Sequence, residues 1–328
     1  MAVEHRLTGP AHVPAHETLA EAGEFGLIQR VTARAGNGPP ALLGPGDDAA
    51  VVAAPDGRVV ATTDVLVEGR HFRRDWSTAA DVGHRAAAAN LADVAAMGAV
   101  PTALLVAFCA PPELDVAWAE ELSDGLAEEA AGAGAGVVGG DVASGPVVVI
   151  AVTALGDLGG RDPVRRSGAR PGDVVAVAGR LGYAAAGYTV LSRGFRSPRL
   201  LVEAHRRPDV PYAAGPRAAT LGATSMIDVS DGLLADLGHV AVASGVAIDV
   251  RRGAFAVPAQ MRDAAGALGV DPYSWILTGG DDHALAATFP AGTALPEDWL
   301  VIGSVAEGSG VTVDGSGYGG SAGWDHFA

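Results

Sequence analysis

Lysine is absent from this chain: all 22 basic residues among its 328 are arginine. A P-loop needs the lysine of G-x-x-x-x-G-K-[ST], and a protein kinase needs a strand lysine, so both are excluded. Schiff-base chemistry on a lysine amine falls with them. Any phosphate handled here must be met by arginine, backbone amides or metal. Cysteine is nearly absent as well. Cys109 alone permits no intrachain disulfide and no Cys-x-x-Cys metal site. In the apolar run ALLVAFCAPP it reads as a small buried hydrophobe. Long hydrophobic stretches are missing too. VVVIAVTAL is too short to span a bilayer, and the N-terminus lacks the basic and apolar regions of a signal peptide, so a soluble cytoplasmic protein with no membrane partner is expected. Positive charge is scarce: 38 acidic residues leave the chain at −16. A nucleic-acid backbone would be repelled.

What is present fits a large mixed α/β protein. The length suggests two domains, and 46 glycines and 20 prolines without a collagen-like period mark many short loops. Residues 1–20 read as a loose tail. EFGLIQRVTARA has helical spacing, and the DG between AAVVAAP and RVVATTDVLV signals a hairpin. Ala79 to Met97 reads as an alanine-rich helix ending at Gly98, TALLVAFC as a buried strand, and Val116 to Ala131 as a second helix. The Gly-, Pro- and Arg-rich stretch 156–173 predicts a boundary between 21–157 and 158–328. Strands VVAVAG and SMIDV then alternate with helices in the second half.

Five places repeat one pattern, an acid at the end of an apolar run beside Gly, Ser or Thr. They are GPGDDAA (Asp47, Asp48), ATTDVLVEGRHF (Asp64), VVGGDVASG (Asp141), IDVSDGLLADLGH (Asp228, Asp231) and LTGGDDHAL (Asp281, Asp282). Asp93 follows Asn90 by three residues, which puts both on one face of a nearly uncharged helix. Burying such an acid without a partner is costly. Each motif alone has a local explanation: Ser230 can cap a helix that Asp231 begins. Together, hard oxygen donors with few Cys or His suit Mg²⁺, as in ATP-using sites. GAGAGVVGG contains G-x-G-x-x-G, but a helix precedes it and a strand follows, the reverse of a dinucleotide fold. Gly139 and Gly140 instead suit close backbone approach to a phosphate near Asp141. RDPVRRSGARPGD gathers Arg161, Arg165, Arg166 and Arg170, either a solvated loop or forked guanidinia reaching phosphate.

The set EFGLI, GPGDDAAVV, TTDVLVEGRHF, AANLADVAAMGA, GGDVASGP, RSGARPGD, IDVSDGLLADLGH, LTGGDD and GWDHFA resembles the thiamine-monophosphate kinases. That family shares its superfamily with aminoimidazole ribonucleotide synthetase and selenophosphate synthetase. The resemblance implies a two-domain PurM-like fold, with a dimerising, ATP-binding N-terminal α/β domain and a C-terminal α/β domain. It implies transfer of the γ-phosphoryl group of ATP to thiamine monophosphate, giving thiamine diphosphate and ADP, with several Mg²⁺ ions; K⁺ is a further candidate. By position, Asp48, Thr62, Thr63, Asp64, Asp93, Asp141, Asp228 and Asp231 would be metal ligands, Thr62 through its carbonyl. Gly140, Asp141, Arg166 and Ser230 would contact ATP, and His71, Asp281 and Trp324 the thiamine phosphate. Asp64, Asp93 and Arg166 would supply the electrostatics of transfer, with no general base. The family usually has Glu-Asp-Tyr where this chain has Asp281, Asp282 and His283, and Tyr where it has Trp324. Another synthetase of the superfamily and a non-catalytic Mg²⁺- or nucleotide-binding protein are the alternatives.

Overall fold

The computed structural model describes residues 17–34, 41–43 and 49–323. The elements, in chain order, are α1 (Leu19–Arg34), β1 (Ala41–Leu43), β2 (Val51–Val52), β3 (Val60–Val67), α2 (Ala79–Ala96), β4 (Val100–Ala110), α3 (Val116–Gly132), β5 (Gly136–Ser144) and β6 (Val149–Asp157). There follow β7 (Val174–Ala178), α4 (Tyr183–Ser192), α5 (Arg199–Arg206), α6 (Ala214–Thr220), β8 (Ser225–Val229), α7 (Leu233–Ser244), β9 (Ala247–Val250), α8 (Ala259–Leu268) and α9 (Pro272–Thr278). Four strands complete the chain: β10 (Ala284–Phe289), β11 (Trp299–Ala306), β12 (Gly310–Val313) and β13 (Ser316–Gly317).

The strands divide into two main sheets. The first has the order β3-β6-β4-β5, antiparallel except for the β4–β5 pair. The second has the order β13-β12-β9-β11-β7-β10-β8, in which only β12 and β9 run parallel. Both sheets with their helices make a mixed α/β protein, as the alternation of elements predicts.

Helix α2 organises the molecule. Thr78 and Asp81 form a reciprocal capping box at its start, the Thr78 hydroxyl accepting from the Asp81 amide and the Asp81 carboxylate from the Thr78 amide. An alanine-rich stretch of high helix propensity follows. The lack of bulk lets α3 lie close: a methyl group at Gly83 would stand 2.1 Å from the Leu122 carbonyl oxygen, and one at Gly125 2.1 Å from that of Ala80. One side of α2 buries Val82, Leu91 and Val94 against Leu104, Ile150 and Val152 of the first sheet. Its C-terminal end, Ala95 and Ala96, joins a core with Met226, Leu285 and Phe289 of the second sheet. The opposite face of the second sheet buries Val175, Val177 and Val229 under α4, α7 and α9.

Several local expectations change. The DG turn closes, with Gly57 donating to Ala54, but no hairpin results: β2 pairs with β1, and β3 finds an eight-residue partner in β6. A two-residue strand cannot compete with a full ladder. β4 is covered on one face only, Leu105 being 37% exposed, and Cys109 is half-buried rather than buried. Of the expected tail, residues 1–16 lie outside the described residues, whereas Leu19 and Ala20 donate to the carbonyls of Leu114 and Pro112. Among the described residues no helix is long and apolar enough to cross a membrane.

Candidate active site

Strand alternation places Thr62, Asp64 and Leu66 of β3 on one face, toward α2. The Thr62 hydroxyl donates to the Asp93 carboxylate at 2.7 Å, and the Asp64 amide donates to the Asn90 side-chain oxygen at 2.9 Å. Asn90, 1% exposed, is itself held by donating to the Ala86 carbonyl. The helical i, i+3 spacing therefore acts as read: Asn90 fixes the backbone of Asp64, and Asp93 gains the partner its burial requires. Thr63 points to the other face of the sheet, where its hydroxyl bonds Thr153 and the Val152 carbonyl.

The second sheet brings its own acids to the same place. Asp228, 3% exposed near the end of β8, lies 3.2 Å from Nδ1 of His283. The loop carrying His283 returns beside β8, with the Asp281 amide bonded to the Ser230 carbonyl and the His283 amide to that of Val229. That approach requires the double glycine, since a methyl group at Gly280 would stand 2.1 Å from the Ser230 oxygen. Asp281 and His283 both adopt positive φ, 67° and 51°. Asp281 forms an ion pair at 2.7 Å with Arg85, a buried arginine of α2. Asp282 is structural: its carboxylate accepts from the amides of Gly182 and Ala184 and so caps α4. Ser230 is not a helix cap, because the amides of Asp231 and Gly232 at the start of α7 are taken by Asp236.

These acids outnumber their cations. Burial, then the charge of Asp228, pushes Asp93 up to about 7, against the opposing bond from Thr62; Asp64 adds to the rise. Asp236 is likewise pushed up to about 7, by burial and then by Asp228. Burial alone would lower His283, but its bond to Asp228 and the charges of Asp228, Asp281 and Asp93 outweigh that and raise it. One imidazole, pushed toward its protonated form, thus faces buried Asp228 and half-buried Asp93 and Asp281. Hard oxygen donors short of counter-charge are what a divalent cation fits. Among the described residues no group of three or more Asp, Glu, His or Cys side chains is placed to hold a metal ion by itself.

Residues 46–158 match the family model described as AIR synthase related protein, N-terminal domain. A thiamine-monophosphate kinase of Mycobacterium tuberculosis is 51% identical over 312 residues, covering 94% of this chain and 93% of its own. The chain belongs to the thiamine-monophosphate kinase family and is an enzyme of that class. The crystal structure of thiamine-monophosphate kinase from Stenotrophomonas maltophilia K279a superposes with a TM-score of 0.79 at 34% identity, covering 89% of this chain and 96% of that one. A structure described as AaThiL complexed with AMPPCP and TMP gives 0.78 at 33% identity, covering 95% and 100%.

Against the positions that the thiamine-monophosphate kinase resemblance implies, this one chain assembles only part. Thr62, Asp64, Asp93 and Asp228 meet where α2, β3 and β8 join, and Asp231 adds its charge beside Asp236. Gly140 and Asp141 stand apart. The pairing runs Asp64–Val152–Val106–Gly140 across all four strands, so about 14 Å separates the first from the last at the usual strand spacing. Gly140 also has a reason of its own to be glycine, since a methyl group there would lie 1.9 Å from the Val106 oxygen of the neighbouring strand. Arg166 is exposed, its carbonyl bonded by Ser244. The His71 ring turns back on its own strand end, Nδ1 accepting from the Val67 amide. Asp48 and Trp324 lie outside the described residues. Reading the sequence missed Arg85 and Asp236, and took His283 only as a departure from tyrosine. The single arginine on an alanine-rich helix was the available signal for Arg85.

Proposed function

We propose that the chain transfers the γ-phosphoryl group of ATP to the phosphate of thiamine monophosphate, releasing thiamine diphosphate and ADP, the last step in making that cofactor. The observation that carries this reading is the convergence of Asp64, Asp93 and Asp228, from two sheets, on one charge-deficient centre. Relatives named for this reaction, and one described in complex with AMPPCP and TMP, support the two substrates. Mg²⁺ held by Asp48, Asp64, Asp93, Asp141, Asp228 and Asp231, with oxygens of Thr62 and Thr63, would neutralise the charge between two phosphates.

The protein's own groups have separable tasks. Thr62 and Asn90 lock the orientation of Asp93 and the backbone of Asp64 before any ligand arrives. His283 holds Asp228 from behind. Arg166, Gly140 and Ser230 would contact the nucleotide, and His71, Asp281 and Trp324 the thiamine phosphate. A phosphate oxygen is a nucleophile without help from a base, so none is required.

Residues 21–157 would form the nucleotide-binding and dimer-forming domain, and 158–328 the second, in a cytoplasmic homodimer. The separation of Asp141 from Asp64 supports the dimer. β3 and β5 are the two edges of the first sheet, and its uncovered face exposes Val65 (47%) and Leu105 (37%). A second copy laid along that edge would bring its Asp141 to this chain's Asp64. The direct test is purified protein with ATP, Mg²⁺ and thiamine monophosphate, followed by chromatography. Thiamine diphosphate formed in step with ADP is the expected result; ADP without it defeats the reading.

A further inference from the structure

The arginine-rich linker is only partly accounted for by phosphoryl transfer. Arg161, Arg165 and Arg170 line a cavity of about 510 Å³ with Ser167, Gly168 and Thr224. Sixteen more acids than arginines are available in the chain, and elsewhere arginines take them: Arg58 holds Asp56, Arg85 holds Asp281 and Arg207 holds Asp81. Among the described residues, none of the three cavity arginines has an acidic partner. Arg161 spends one guanidinium N–H on the Gly98 carbonyl at 3.2 Å, while its Nε, cut off from water, has no acceptor. The nearby carboxylates do not satisfy the group. Asp162 at the rim is fully exposed and reaches only toward Arg58, at 3.9 Å. Asp173 is occupied by the Arg170 amide and the Thr224 hydroxyl.

The cavity is built on a strap that ties the end of α2 to the second sheet and α7. The Val164 amide donates to Met97 just after α2, the Met226 amide of β8 donates to the Arg165 carbonyl, and the Gly168 amide donates to the Ser244 hydroxyl at the end of α7. The exposed guanidinium forks of Arg165 and Arg170, with no acidic partner among the described residues, match phosphate oxygens in charge and planar geometry. The acidic bulk of the protein makes such a positive recess unusual here. We propose that this cavity is an anion site, separate from the acidic centre, that takes the phosphate groups of a phosphorylated small molecule on Arg165 and Arg170. An occupant joins the two sides of the strap and stabilises the folded protein by mass action.

The test uses the full chain in EDTA, where the metal-free acidic centre repels anions. Inorganic pyrophosphate, ADP and thiamine diphosphate are titrated separately by calorimetry, with thermal unfolding in parallel. Saturable one-to-one binding of at least one of them is expected, with a raised Tm. Pyrophosphate binding as tightly as the others means that phosphate alone is read; tighter ADP or thiamine diphosphate means that the organic part is read too. The Arg165→Ala/Arg170→Ala double variant should weaken binding at least tenfold, and Arg165→Lys, which keeps charge without the fork and the fold intact, should weaken it measurably. No binding by any of the three, unchanged binding in both variants, or loss of binding when Mg²⁺ and AMPPCP saturate the protein would overturn the proposal. The last result would assign the cavity to the nucleotide site.

Discussion

Replacing Asp93 by Asn separates the cost of the acidic centre from its use. The amide oxygen can still accept from the Thr62 hydroxyl, so the 2.7 Å contact and local packing are retained while the charge is removed. In the metal-free wild type that charge opposes folding. Its pKa rises on folding from 3.8 to about 7, through burial first and Asp228 second. The folded state therefore holds the proton more tightly than the unfolded state. The penalty is absent below pH 4, grows as pH rises, and is complete above pH 7. Three units correspond to at most about 4 kcal/mol, and sharing the repulsion with Asp228 reduces the expected gain to about 2 kcal/mol at pH 8. Urea unfolding in EDTA should show Asp93→Asn more stable than wild type by that amount, with a flatter dependence between pH 5 and 8. Turnover with saturating Mg²⁺ should fall at least ~100-fold, the scale of losing one preorganised electrostatic group. A variant that is less stable in EDTA, or that retains activity, refutes the reasoning.

Other perturbations probe different parts. Arg85→Ala frees Asp281 from its 2.7 Å ion pair; KM for thiamine monophosphate should rise about tenfold, the size of one lost charge-assisted bond, with a smaller change in kcat. Partial recovery in Arg85→Lys would separate positioning from folding, and an unchanged KM would remove Arg85 from this role. If the active site is shared between copies, mixing unfolded Asp64→Asn and Asp141→Asn chains and refolding them together should restore about a quarter of wild-type activity, because half of the dimers then hold one intact site of two. Mixtures as inactive as each parent would argue against sharing. His205 is buried with an unpartnered Nδ1, and burial followed by Arg85 pushes it down to about 3. Its folded pKa lies below its unfolded value, so stability is intact above pH 6.5 and is lost as pH falls toward 3. Between pH 7 and 5, His205→Phe should lose about 2 kcal/mol less stability than wild type in urea titrations; equal losses would contradict the assignment.

The periodic parts of the fold were legible from sequence. The α2 and α3 signals are strong because capping, alanine content and apolar spacing agree. The register of Asn90 and Asp93 was readable because helix geometry fixes it. Pairing partners were not. The DG turn is a good local signal, yet β3 joins β6, about 90 residues away, since ladder length outweighs turn propensity. For the site, residue types revealed the chemistry but not the assembly. Nothing within GGDVASG tells that Asp141 sits on the far edge of the sheet from Asp64, because strand order is decided by the whole domain. Arg85 and Asp236 were hidden for a related reason: Arg85 acts on a group distant in sequence, and Asp236, though inside IDVSDGLLADLGH, acts on the backbone amides of Asp231 and Gly232.

Several breaks of local rules coincide. Asp281 and His283 hold positive φ, which costs on the order of 1 kcal/mol or more for each such residue. Half-buried Asp93 and buried Asp236 have raised pKa values, and Asp228 is buried against a single histidine. A chain selected only for stability would replace these groups with apolar or neutral ones. Much of their cost falls at the junction of α2, β3 and β8, although Asp314 between β12 and β13 also holds a positive φ of 50°; the cores of both sheets are filled largely by aliphatic side chains. The same helix that buries its alanines against both sheets also presents Arg85, Asn90 and Asp93 at their meeting point. Apolar packing on α2 therefore offsets the expense of the acids it carries and keeps the centre assembled while short of positive charge, the deficit that a divalent cation would fill under the proposed function.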